Sequence, residues 1–242
     1  MKKVLFLGMS MLLLINCSFG FGKNKVKGSG TITSESRQVS PFTGLDAAGI
    51  FTVYLSQGDR ESVTVEIDDN LQQYVSVCNK GQMLVLGTSK EFNNRTGSKS
   101  KVKVYVTLKN IERLEVSGVC TVKGQTPLVC DRLDANVKGV SNCELEIRCS
   151  RLEITQSGVC NIRLTGETGD CIVKKDGVGS LKASGLHARN MSIRNSGVGN
   201  VELYASGELS LNNSGVGSIK YSGDAVITSL NSSGVGKIRK AE

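Results

Sequence analysis

A four-residue unit, Ser-Gly-Val-Gly, stands at 196–199, 214–217 and 233–236, and looser copies stand at 117–120, 138–141, 157–160 and 176–179. Aligned on the first glycine, the copies fall at Gly118, Gly139, Gly158, Gly177, Gly197, Gly215 and Gly234, spaced 21, 19, 19, 20, 18 and 19 residues apart. A period near 20 confines the chain to a stacked repeat. A unit that short cannot bury an apolar face alone and must bury it against its neighbours.

Counting from each glycine, the residue four before is apolar in every copy: Leu114, Ala135, Ile154, Val173, Ile193, Leu211 and Leu230. The residue four after is Val122, Cys143, Ile162, Leu181, Val201, Ile219 or Ile238. Six before, Leu133, Leu152, Cys171, Met191 and Leu209 continue the set, with charged or polar residues between. Alternation of period two on both sides of a glycine predicts two strand segments per repeat, each with one face inward. A second turn is predicted at Thr165-Gly166, Ser184-Gly185, Ser206-Gly207 and Ser222-Gly223. The fold class is all-β, a parallel β-helix or β-solenoid of about 19–20 residues per coil. Its coils stack at ~4.8 Å, so that seven make a column roughly 30 Å long.

The glycines are predicted to turn the corner through positive φ. The residue after each is valine in all seven copies: Val119, Val140, Val159, Val178, Val198, Val216 and Val235. A β-branched residue repeated in register suits a stacked core, so these valines are assigned to an inward ladder. Three after the glycine stand Asn142, Asn161 and Asn200, with Ser180 and Ser218 in other coils. Aligned amides there can hydrogen-bond along the stack.

The same frame fits around Gly49, with Leu45 four before, Ile50 one after and Val53 four after, which makes this segment a rung separated from the main array. Strands are expected at 31–39, 62–67, 83–86 and 102–108. A turn or cap is expected at Asp68-Asp69-Asn70, and 71–77 fits a short helix or a strand. The polar stretch 89–101 reads as a protruding, mobile loop. Four regions follow: a signal peptide at 1–20, a tether at 21–29, an N-terminal β region at 30–110 that caps and extends the solenoid, and regular repeats at 111–242.

Lys2 and Lys3 precede an apolar run at 4–15 that is too short to span a bilayer comfortably, so the chain is expected to leave the cytoplasm. Leu14-Ile15-Asn16-Cys17 fits a relaxed lipobox, with Cys17 as a lipidation site, and Ser18-Phe19-Gly20 fits an ordinary cleavage site. The expected location is the cell envelope, as an outer-membrane lipoprotein or a secreted or periplasmic protein. A lipid anchor would be its sole tie to a membrane.

Aromatic residues are only 5% of the chain and tryptophan is absent, which argues against an aromatic-lined sugar cleft or a base-stacking platform. The formal charge of +8 comes from scattered Lys and Arg, often beside Glu or Asp. That pattern reads as a solvated outer surface, with weak attraction to acidic polymers or anionic surfaces as the alternative. No nucleic-acid motif is present.

Gly28-Ser-Gly, then Gly49-Ile-Phe-Thr-Val-Tyr-Leu-Ser-Gln-Gly-Asp, then the Ser-Gly-Val-Gly array resemble the bacterial auto-transporter adhesin, head GIN domain family. The resemblance spans roughly residues 27–239. It implies a β-helix of pectin-lyase-like shape in secreted or lipid-anchored proteins of Bacteroides-type bacteria, with a proposed role in adhesion. It brings no catalytic residues.

Apart from Cys17, seven cysteines remain: Cys78, Cys120, Cys130, Cys143, Cys149, Cys160 and Cys171. Cys120 and Cys160 stand two after a repeat glycine. Cys130 and Cys149 each stand nine before one, which makes them neighbours in adjacent coils. They read as small hydrophobic packing residues, with a Cys130–Cys149 disulfide as the sharper alternative. No closely spaced Cys pair or His pair suggests zinc. His187 reads as an exposed loop residue. Asp59, Glu61, Asp68 and Asp69 read as turn and cap residues rather than calcium ligands. Asp176 replaces serine at one corner and is the residue on which a polysaccharide-lyase-like patch would have to rest.

The function expected is a non-enzymatic envelope protein with no cofactor, acting as an adhesin-like binding module or surface scaffold. Its partners would be a host or bacterial surface glycan or protein, or further copies of itself. A polysaccharide-acting enzyme and a structural component without external ligand are the alternatives.

Overall fold

Apolar residues at even offsets from each corner glycine must leave water together, and the chain coils so that they do. The computed structural model describes residues 27–93 and 101–241. The leader with Cys17, most of the tether and residues 94–100 of the expected loop lie outside them. The strands are β1 (Ile32–Arg37), β2 (Gly44–Gln57), β3 (Ser62–Asp68), β4 (Val75–Lys80), β5 (Met83–Thr88), β6 (Val102–Leu108), β7 (Arg113–Gly124), β8 (Leu128–Val137), β9 (Val140–Gln156), β10 (Val159–Lys175), β11 (Leu181–Asn195), β12 (Val201–Ala205), β13 (Glu208–Asn213), β14 (Ile219–Ser222), β15 (Val226–Ser232) and β16 (Ile238–Lys240).

From β7 onward every pairing is parallel and links one coil to the next, as a β-solenoid requires. Cys143 lies against Ile162, Ile162 against Leu181, Leu181 against Val201, and Val201 against Ile219. All five are buried, as are the residues four before each glycine as far as Leu211 and, from Leu133 to Leu209, those six before. The separated rung is real: Gly49 pairs with Gly118 and Ile50 with Val119.

In two coils the second turn does not interrupt the strand, although Gly166 takes the positive φ of a corner (106°). Strands β10 and β11 run on through Gly166 and Gly185. In β10 the burial alternation slips between Thr168 and Cys171; in β11 it slips at Ser184-Gly185, between Ala183 and Leu186, and again between Ala188 and Met191. A register shift beside Thr165 marks a bulge, which lets a 20-residue coil stack on a 19-residue one. Ser206-Gly207 does turn the corner, with the Gly207 N–H donating to the Arg189 carbonyl at 2.7 Å.

At the N-terminal end β5 stacks parallel on the first half of β2 and β6 on the second half. Beyond them the sheet becomes antiparallel, through β4 on one side and β3 then β1 on the other. A 3-10 helix at Asp69–Tyr74 touches both arms. The stretch expected to protrude instead begins with a helical turn, Lys90–Asn93, whose Phe92 is fully buried in the core. An aromatic side chain that finds apolar neighbours pulls its backbone in with it. At the other end, among the described residues, β15 pairs only with β13 and β16 only with β14. Val226 and Leu230 are left exposed there.

Candidate functional site

The corner that carries Ser-Gly-Val-Gly is the most regular surface of the molecule. Its valines do not enter the core. Val119, Val140, Val159, Val178, Val198 and Val216 are 46–55% exposed, and Val235 in the last coil is 72% exposed. The inward assignment of this ladder is therefore corrected, for a reason of geometry. Alternation continues through the corner: even offsets point in, and offset one points out. The register itself holds, since each valine pairs in parallel with the valine of the next coil. The result is an outward apolar ridge whose members shield one another laterally.

The glycines set this shape in two ways. Gly118, Gly139 and Gly158 take positive φ, as expected. Gly177, Gly197, Gly215 and Gly234 do not, and there the positive φ passes to the second glycine, as at Gly199 (φ 123°). Gly197 is still confined to glycine, because a Cβ on it would collide with the carbonyl oxygen of Gly177 in the coil beside it. The Val198 N–H donates to that same oxygen at 3.0 Å.

Polar ladders flank the ridge. Asn161 donates to the Asn142 side-chain oxygen at 3.3 Å and accepts from the backbone and hydroxyl of Ser180 at 3.1 and 3.0 Å. Asn200 accepts from the Ser218 N–H at 3.1 Å. On the other flank Ser196 bonds the Asp176 carboxylate. Asp176 is thus a corner residue paired along the stack, with Ser196 at the same position of the next coil.

Beneath the corner runs a ladder that the frame did not single out. Gln156, Lys175, Asn195 and Asn213, each two before a repeat glycine, are all fully buried. In coils where the residue two after the glycine has a side chain, that side chain closes the turn: Cys120 bonds the Ser117 carbonyl and Ser141 the Lys138 carbonyl, at 3.1 and 2.8 Å. Where it is Gly179, the Lys175 ammonium reaches in and donates to the carbonyls of Gly177 (3.2 Å) and Val198 (3.0 Å). Burial pushes the Lys175 pKa down, and the adjacent Asp176 pulls against it. The offset frame carried the signal, as polar residues at an even, inward position.

The flat faces are charge-compensated across coils. Glu153 accepts from Lys174 at 2.9 Å and lies 3.6 Å from Arg132. The Lys174 hydrogen bond holds its carboxyl below the usual range. An open cleft of about 900 Å³ beside the first coils is lined by Gln82, Glu112, Arg113, Cys130, Asp131 and Arg132, among others. His187 is exposed and packs on Tyr204, with ring centroids 4.5 Å apart. Asp68 stands at the N-cap of the 3-10 helix but makes no side-chain cap hydrogen bond; its carboxylate instead accepts from the distant Gly30 N–H at 2.7 Å. Among the described residues no group of three His, Cys, Asp or Glu side chains is placed to hold a metal ion.

Residues 41–225 match the profile of the family described as "Putative auto-transporter adhesin, head GIN domain". Of solved structures, a "putative adhesin" from Bacteroides fragilis NCTC 9343 is similar at 26% identity and a TM-score of 0.83, over 89% of this chain and 100% of that one. Two from Parabacteroides distasonis ATCC 8503 share the fold at 22% identity, each over 90% of this chain and 100% of theirs. One is a "putative adhesin" with a TM-score of 0.71, the other a "putative lipid binding protein" with a TM-score of 0.68. No curated protein matches.

Proposed function

Because this chain belongs to the auto-transporter adhesin, head GIN domain family, we propose that it is a non-enzymatic binding module of the cell envelope whose contact surface is the valine corner. The observation that carries this reading is the outward ladder of seven valines between hydroxyl and amide rows. At roughly half exposure each, they offer an apolar strip on the order of 500 Å², a size that on a monomer commonly marks a contact site. An uncharged surface polysaccharide suits it. The C–H faces of sugar rings would lie on the valines, and their hydroxyls would meet Asn142, Asn161, Ser180 and Asn200. The repeat along the stack would present the same contact to successive units of the polymer. Export, with a lipid on Cys17 or ordinary cleavage, belongs to the same proposal.

A glycan-array screen tests it. The wild-type chain is expected to bind uncharged, repeating glycans, and Val159→Asp/Val178→Asp/Val198→Asp is expected to lose at least tenfold in apparent affinity, about 1.4 kcal/mol or more. Equal binding by both proteins would remove the corner from the account. A wild-type chain that binds no glycan would remove the polysaccharide.

A further inference from the structure

We propose that Cys130 and Cys149 form a reversible dithiol–disulfide site on the face of the solenoid. Four observations converge on this pair. Strands β8 and β9 run parallel with Cys130 directly opposite Cys149. The same position in the next two coils holds Thr168 and Ala188, so the ladder contains one thiol pair. Cys120, Cys143, Cys160 and Cys171 are buried, whereas Cys130 and Cys149 are only half-buried, and Cys130 lines the open cleft. The two are also unequal. Thr168 Oγ1 lies 3.5 Å from the Cys149 sulfur, a polar neighbour in the next coil, whereas Cys130 faces the cleft.

That inequality assigns the roles. The hydrogen bond with Cys130 holds the Cys149 pKa below the ordinary thiol value, against the effect of burial. The bond to Cys149 and burial push Cys130 up. The thiolate is the nucleophile of disulfide exchange, so Cys149 attacks first. With a disulfide donor of the oxidised-glutathione class, the Cys149 thiolate attacks one donor sulfur. A protein–donor disulfide forms, the donor S–S bond breaks, and the departing thiolate takes a proton. Cys130 then loses its proton and attacks the Cys149 sulfur, and the second donor thiol leaves. Two protein thiols are oxidised and one donor disulfide is reduced to two thiols.

The product would be labile. Neighbouring parallel strands set the Cα atoms ~4.8 Å apart, within disulfide range, but the parallel Cβ vectors must tilt together to close the bond. Strained, accessible disulfides are the readily reduced ones. Its closure would tie the first coils of the regular stack covalently.

The test uses the full chain, reduced, then treated in its native state with oxidised glutathione, acid-quenched and peptide-mapped. The expected product is a Cys130–Cys149 cross-link that dithiothreitol reverses. In Cys130→Ser, Cys149 should carry one glutathione and react roughly tenfold faster than Cys78. In Cys149→Ser, Cys130 should remain largely a free thiol. Both thiols still free in treated wild type, or a cross-link elsewhere, would overturn the proposal. So would a Cys130→Ser chain with Cys149 unmodified. Melting of each variant is recorded alongside, and if a variant misfolds the wild-type map decides alone.

Discussion

At the scale of single residues, the corner shows how a repeat is read and misread. A valine present in seven of seven copies looks like a core residue, yet its odd offset from the glycine sends it outward. The offsets four before, six before and four after were even, and the pattern was already enough to place offset one outside. The same rule would have found Lys175, at an even offset and fully buried. Its ammonium is bonded to the Gly177 and Val198 carbonyls, and both carbonyls also accept backbone N–H groups. A buried charge without a carboxylate partner is costly, and its replacement by an apolar side chain of similar length is tolerated or stabilising. Lys175→Met is therefore expected to leave stability unchanged or raise it by up to about 2 kcal/mol at neutral pH. The sign with pH follows from the lowered pKa. Between that value and the ordinary lysine value the unfolded chain binds more protons, so wild-type stability rises with pH across this window. Lys175→Met should lack the rise. Urea melts at pH 7 and pH 10 check both points, and a loss of more than about 2 kcal/mol would show that the carbonyl bonds outweigh desolvation.

At the scale of elements, the coils differ in how firmly they are held. Strands β9, β10 and β11 have a coil on each side, and their inward residues are buried. Among the described residues, strands β15 and β16 have a partner on one side only, and Leu230 is exposed where its counterparts in earlier coils are buried. One-sided pairing with little burial gives low opening free energies. Amide hydrogen exchange should therefore be fastest across 226–240 and slowest across 140–195, and uniform protection along the column would contradict the one-sided end. Bulges were not legible in the sequence. Ser184-Gly185 has the composition of a turn, but the need to stack coils of unequal length makes it a bulge inside a strand. Phe92 was hidden because a polar stretch concealed one apolar anchor.

At the scale of the whole molecule, the architecture was largely legible and the contact surface was not. Period and alternation are local properties, repeated often enough to specify a solenoid. They also placed Gly49 on a rung beside Gly118 across a long insertion. What a surface binds depends on which residues face water together, and that changes with a single step of offset. With the valines inside, the corner would be a seam of small polar residues. With them outside, it is an apolar ridge between the Asn142–Asn161–Ser180 row and the Ser196–Asp176 row, and the binding proposal stands on that difference. The direct measurement is thermal unfolding of Val198→Asp beside Ile193→Asp. Val198 is 46% exposed and Ile193 is 1% exposed, five residues apart in one coil. Val198→Asp is expected to cost about 1 kcal/mol or less, the worth of its ladder contacts, while Ile193→Asp buries an unpaired polar group and should cost more than about 4 kcal/mol. Equal, large losses for both would place the valine in the core and contradict the account.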